Sequence, residues 1–183
     1  MKSYEVYELI ENFEKNSSEL YQLAFLLTGN SDRSIQAFDR ALDFNEEDNH
    51  VFGGFMSEWA RKLVVVEALG TIEKELRASK LRVARAAAND VGAGSKWKRQ
   101  AHITREQFEQ AVTAIDAFPR CAMLLTIFEG MSIDDAAVLL HAEKSLTATA
   151  QRIGILQLTR NIAGNSGRDP FPGMAPVPVL SLS

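Results

Sequence analysis

The chain has 183 residues, of which 46% are hydrophobic and 24% charged, with a net charge of −4; that is enough for one globular domain or two small ones with a real core. Its single cysteine, Cys121, excludes an internal disulfide and fits a reducing compartment. The longest apolar runs, such as CAMLLTIF, are too short for a membrane span, and MKSYEVYELIENFEK has no apolar signal core, so a cytoplasmic protein is expected.

In chain order, the apolar spacing is helical almost throughout. Tyr4, Tyr7, Leu9, Ile10 and Phe13 mark a first amphipathic segment, and Leu20, Leu23, Ala24 and Leu27 a helix that stops at Gly29. Ser31 is placed to cap a third helix through Ser34–Leu42. After the acidic loop NEEDNH, a long helix is expected from Phe55 to Ala88. Its first half is apolar (Trp59, Leu63, Val64, Val66, Leu69), its second half, EKELRASKLRVAR, is basic, and Gly70 marks a kink or a break. Asn89–His102 holds two glycines and no apolar stripe, and reads as a linker. Thr104 caps a helix over REQFEQAVTAIDAF; further helices follow over Pro119–Glu129, Ser132–Leu140 and Ser145–Ala163. Residues 164–183 hold four of the five prolines and read as a tail, disordered or laid on the body as a strap. No segment alternates with period two, so the expected class is all-α. It comprises a helical domain over 1–88, a linker over 89–103, a second domain over 104–163 and the tail.

Charge is unevenly spread. Residues 1–60 hold 4 Lys/Arg against 12 Asp/Glu, a net of −8; residues 61–105 hold 11 against 4, a net of +7; residues 106–183 hold 5 against 8, a net of −3. The basic middle is suited to a polyanion or to a solvated helix face. His50, His102 and His141 are dispersed, and Cys121 has no Cys or His at ligand spacing, so no zinc site is expected. Nor does the sequence hold a phosphate-binding glycine loop or a nucleophile elbow. No enzyme, cofactor or small-molecule substrate is expected.

FEGMSIDDAAVLLHAEKSLTATAQRI (128–153) has the rhythm of a helix-turn-helix. Ser132 with Asp135 approximates a capping box, and Ala136, Ala137, Leu139 and Leu140 supply a buried face. The break at His141–Lys144 lacks the glycine such turns often use. Leu146, Ala150, Ile153 and Leu156 or Gln157 then recur at helical spacing, leaving Thr147, Ala148, Thr149, Gln151 and Arg152 on or near the outer side.

Here the sequence resembles the extracytoplasmic-function sigma factors of the sigma-70 group. Arg120–Leu140 looks like that family's promoter-reading domain, with Arg120, Glu129, Gly130, Ser132, Asp134, Asp135 and Ala137 in place without a gap. Leu20–Leu42, including Leu27, Thr28 and Gly29, looks like the start of its N-terminal domain. Phe55–Ile72 resembles the next helix, with Trp59 on the family tryptophan. The resemblance implies a transcription initiation factor that joins core RNA polymerase and promoter DNA, under an anti-sigma factor. It places polymerase binding at Gln36, Phe38, Asp39 and Arg40. It places DNA binding at Lys144, Thr147, Thr149, Gln151 and Arg152, with Lys74, Arg77, Lys80, Arg82 and Arg85 tracking phosphates.

The chain also departs from the family. Where the polymerase-docking motif is acidic, Gln36 and Arg40 replace acids, and a charge reversal in an interface suppresses the original partner. Val66 stands near a base-capturing Asn. Residues 131–164 are neutral overall, so the last helix lacks the charge that phosphate affinity needs. Two registers are open there: a gapless one that turns Thr147 and Gln151 inward, and a turn one residue shorter, preferred here, that buries Leu146 and Ala150. The departures support an alternative function: a sigma-like binding module that engages an anti-sigma factor or another regulator without reading promoters.

Overall fold

The computed structural model describes residues 16–43, 56–87 and 103–165; the expected helix over Tyr4–Phe13, the NEEDNH loop, the linker with Lys96, Trp97, Lys98 and Arg99, and nearly all of the tail lie outside them. The described chain is all-α. Helix α1 covers residues 16–28. It is followed by α2 (Ser31–Asp43), α3 (Met56–Thr71), α4 (Glu73–Ala87), α5 (Arg105–Thr113), α6 (Ala117–Met123), a π-turn (Leu124–Phe128), α7 (Ile133–Leu139) and α8 (Lys144–Asn165).

Helix ends follow from local chemistry. α1 stops because Gly29 takes a left-handed φ of 68°, and its amide bonds back to the Phe25 carbonyl. Asn30, rather than Ser31, caps α2: its Oδ1 accepts the Arg33 amide at 3.0 Å, while Ser31 Oγ pairs with the Tyr21 hydroxyl. Thr104 and Gln107 form a complete capping box at α5. Asp116 caps α6, and Ser132 caps α7 by accepting the Asp135 amide. The long helix expected over Phe55–Ala88 is two helices. At Ile72 the ladder falls to an i−3 bond, from the Ile72 amide to the Leu69 carbonyl, two residues after Gly70. Beyond Met123 the helix widens instead of continuing as α, with Glu129 N–H reaching the Leu124 carbonyl five residues back.

Every residue of α6 is buried. α8 lies along it, and α4 packs against both. The main core is continuous across the two units read from the sequence: Leu23, Leu26, Leu27, Val65, Ile72 and Leu76 come from the first, and Val112, Phe118, Leu124, Leu125 and Ala150 from the second. A smaller cluster of Leu20, Ala24, Ala41, Ala60 and Val64, flanked by Phe38 and Trp59, is confined to α1–α3. The main core thus draws on both units, with the smaller cluster beside it.

Candidate functional site

The helix-turn-helix is present, and its turn is made without glycine. His141 itself adopts the left-handed conformation (φ 47°). Its amide bonds to the Val138 carbonyl at 3.1 Å, and the Ala142 amide to the Ala137 carbonyl at 2.9 Å, which is the paired pattern of a Schellman motif. A non-glycine residue there carries a steric cost of about 1–2 kcal/mol.

α8 turns its small residues inward. Thr147, Ala150 and Gly154 are buried, and Gln151 donates to Thr126 Oγ1 at 2.9 Å. The inward face takes Thr147 and Gln151 from the gapless register and Ala150 from the preferred shorter turn, whose Leu146 is half-buried against the core. The cause is steric: a Cβ on Gly154 would lie 2.5 Å from the Pro119 carbonyl oxygen, so only a glycine face lets α8 approach α6 this closely. Two expected DNA-reading residues are therefore not displayed. Thr147 has no exposed surface and donates to the Glu143 carbonyl, and Gln151 is turned into the body. The outer stripe runs through Ser145, Thr149, Arg152 and Arg160. Lys144 opens it with an ion pair to Asp134 at 2.8 Å, and Thr149 Oγ1 returns to the Ser145 carbonyl.

On α4 the basic run is partly engaged. Arg82 forms a bidentate pair with Asp116 at 2.9 and 2.7 Å, Lys80 Nζ donates to the His141 carbonyl at 2.6 Å, and Arg77 pairs with Glu73. Lys74 and Arg85 are exposed and make no ion pair among the described residues. Lys80 and Thr149 line the same groove of about 590 Å³ between α4 and the start of α8; its walls are mostly apolar, with Leu81, Ala84 and Leu146.

The α2 candidates divide by face. Gln36, Asp39 and Arg40 are exposed beside Ile35, whereas Phe38 is half-buried against the α1–α3 cluster and supports the helix. Val66 on α3 is 49% exposed.

Sequence reasoning missed the bonds that join the units. Arg61 forms a bidentate pair with Glu129, 68 residues away, at 2.5 and 2.9 Å; the hydrogen bond to Glu129 raises the Arg61 pKa. Phe118 N–H donates to Ser79 Oγ at 2.9 Å. Arg120, 6% exposed, donates to the carbonyls of Thr113 (3.0 Å), Ile115 (3.0 Å) and Leu27 (3.2 Å), and burial lowers its pKa. Next to it, Cys121 is fully buried, and burial pushes its thiol up to about 12. Of the residues that carried the family resemblance, Leu27, Arg120 and Glu129 thus bond to the other unit. No residue-spacing rule signals contacts this far apart in sequence.

No helix among the described residues is long and apolar enough to cross a membrane, and no cluster of metal-ligating side chains occurs among them. Compared with family models, curated proteins and solved structures, the chain matches none.

Proposed function

We propose that the chain is a sigma-like protein-binding module, held as one body, that engages an anti-sigma factor or another regulator and does not read promoters. The observation that supports this most is the core shared by the two helical units. Reading two promoter elements with two domains requires those domains to part. Parting them would uncover side chains of that core such as Leu27, Ile72 and Phe118, each 1% exposed or less, and the cost rises toward roughly 1.5–3 kcal/mol for each one fully exposed. The burial of Thr147, the inward turn of Gln151 and the ion pair of Lys144 point the same way. Few phosphate-neutralising charges stand on the outer stripe of α8, and affinity for a duplex at physiological salt needs them.

The exposed face of α2, with Gln36, Asp39 and Arg40, and the exposed Lys74 and Arg85 favour the second reading, a sigma factor that joins core RNA polymerase at promoters. Pull-down with core polymerase, followed by run-off transcription from the reconstituted complex, separates the two. Capture of an anti-sigma domain without promoter-dependent transcript is the expected result. Promoter-dependent transcript at low salt would overturn the proposal in favour of the initiation factor.

A further inference from the structure

We infer that Arg120 sets the angle at which the two helical units close. Its three acceptors lie at two helix ends. Leu27 is in the last turn of α1, in the first unit; Thr113 ends α5 and Ile115 follows it, in the second. Carbonyls at helix C-termini lack intrahelical donors and carry the negative end of the helix dipole. One guanidinium therefore completes a helix from each unit, and the two negative ends stand in for the carboxylate that Arg120 lacks among the described residues.

The surroundings are shaped for this fork. Gly29 presents bare backbone, and a Cβ there would lie 2.9 Å from Arg120 Nη1. Thr28 Oγ1 bonds to the Ala24 carbonyl and to Ser34 Oγ, which fixes the α1–α2 turn and the direction of the Leu27 carbonyl. Among the described residues Arg120 Nε has no partner, so the site carries the cost of one unsatisfied donor in order to hold the other contacts.

The apolar contact around Arg120 is adhesive but non-directional, and cores of this kind lose uniqueness before they lose stability. The rim pairs Arg61–Glu129 and Arg82–Asp116 reach their carboxylates, which are 9% and 35% exposed, with arginines that are 41% and 59% exposed. Such long, solvated arms adapt to a docking angle more than they impose one. A planar, buried guanidinium with fixed donor directions imposes one, and a registry role is the best-attested use of a buried polar group. The fork therefore holds the outer faces of α2 and α8 at one fixed separation, whatever the chain binds.

The test compares full-length wild type, Arg120→Met and Arg120→Lys by two-dimensional amide NMR and small-angle scattering. Reporters are the amides at Arg61, Lys80, Glu129 and His141, which are rim contacts outside the Arg120 site. Wild type should show one set of peaks. Arg120→Met should keep the wild-type radius of gyration but give doubled or broadened rim peaks, and Arg120→Lys an intermediate pattern. A single sharp set in Arg120→Met, with shifts confined to the neighbours of Leu27 and Thr113–Ile115, would overturn the inference. Should Arg120→Met not fold, Arg120→Lys decides on the same criterion. Loss of folded protein in both also overturns it, since Arg120 would then be needed for stability itself.

Discussion

Gly154→Ala tests the packing that turns α8 inward. Helix propensity alone predicts a gain, because Ala is favoured over Gly inside a helix by about 0.8–1 kcal/mol. The structure predicts the opposite sign. The new Cβ would stand 2.5 Å from the Pro119 carbonyl oxygen and 2.9 Å from Met123 Cβ. Ordinary contacts begin near 3.4 Å, so α6 and α8 would have to part by most of an ångström. The obstructing atom is backbone, held in a helix whose every residue is buried, and it has no rotamer by which to retreat. Overpacking of this kind costs typically ~1–3 kcal/mol. With backbone as the obstacle the upper part of that range applies, and after the propensity gain a net loss of about 1–2 kcal/mol remains. Urea denaturation at constant slope would show it as a lower midpoint, and thermal melts as a fall of about 2–4 °C per kcal/mol. Gly70→Ala and Gly164→Ala are the controls. Among the described residues nothing lies within 4 Å of either added Cβ, so each should be neutral or stabilising by up to ~1 kcal/mol. A Gly154→Ala protein as stable as the controls would refute the close crossing, and with it the register that buries Thr147.

His141→Gly should stabilise the protein by about 0.5–1 kcal/mol, because the left-handed φ is strained for histidine and free for glycine, less the added chain entropy; an unchanged or lower urea midpoint would count against the Schellman turn. Asp116 contributes stability that is lost in acid. Burial raises its carboxyl pKa, but hydrogen bonds from Arg82, Ser79 and the Ala117 amide outweigh burial and hold it below its ordinary value. A depressed folded pKa means the contribution is present above the unfolded value near 3.8 and is lost as pH falls through the folded one. Asp116→Asn should therefore flatten the stability profile below about pH 4, and an unaltered acid limb would argue against the Arg82 pair. Cys121, with its thiol pushed up to about 12, should resist a disulfide reagent at pH 8 in the native protein and react fully in denaturant; rapid native labelling would contradict its burial.

Much of the local structure was legible in the sequence because its causes are local. Gly29, Thr104 and Ser132 each act on amides or carbonyls within a few residues, and the predicted helix boundaries fall at them. The break after Gly70 was legible as a weak point, although not the i−3 bond at Ile72 that makes it. The candidate site was less legible. On α2, Gln36, Asp39 and Arg40 are exposed, whereas Phe38 fills the α1–α3 cluster. On α8, the apolar spacing found Ala150, which is buried, and Leu146 and Ile153, which pack half-buried against the core, but it gave no sign that Thr147, Gln151 and Gly154 share the inward face.

By itself, then, the sequence determined the all-α class, most helix starts and stops, and the uneven charge, since these depend on propensity, capping and composition. Tertiary structure decided which residues are displayed. Which face of α8 turns inward is chosen by the closest approach a neighbour permits, and only Gly154 fits against the Pro119 carbonyl. Whether Lys80, Arg82 and Arg61 stand free or bind the other unit depends on acceptors 34 to 68 residues away. Burying a single arginine requires helix ends from both units to converge on it, which no stretch of one chain segment encodes.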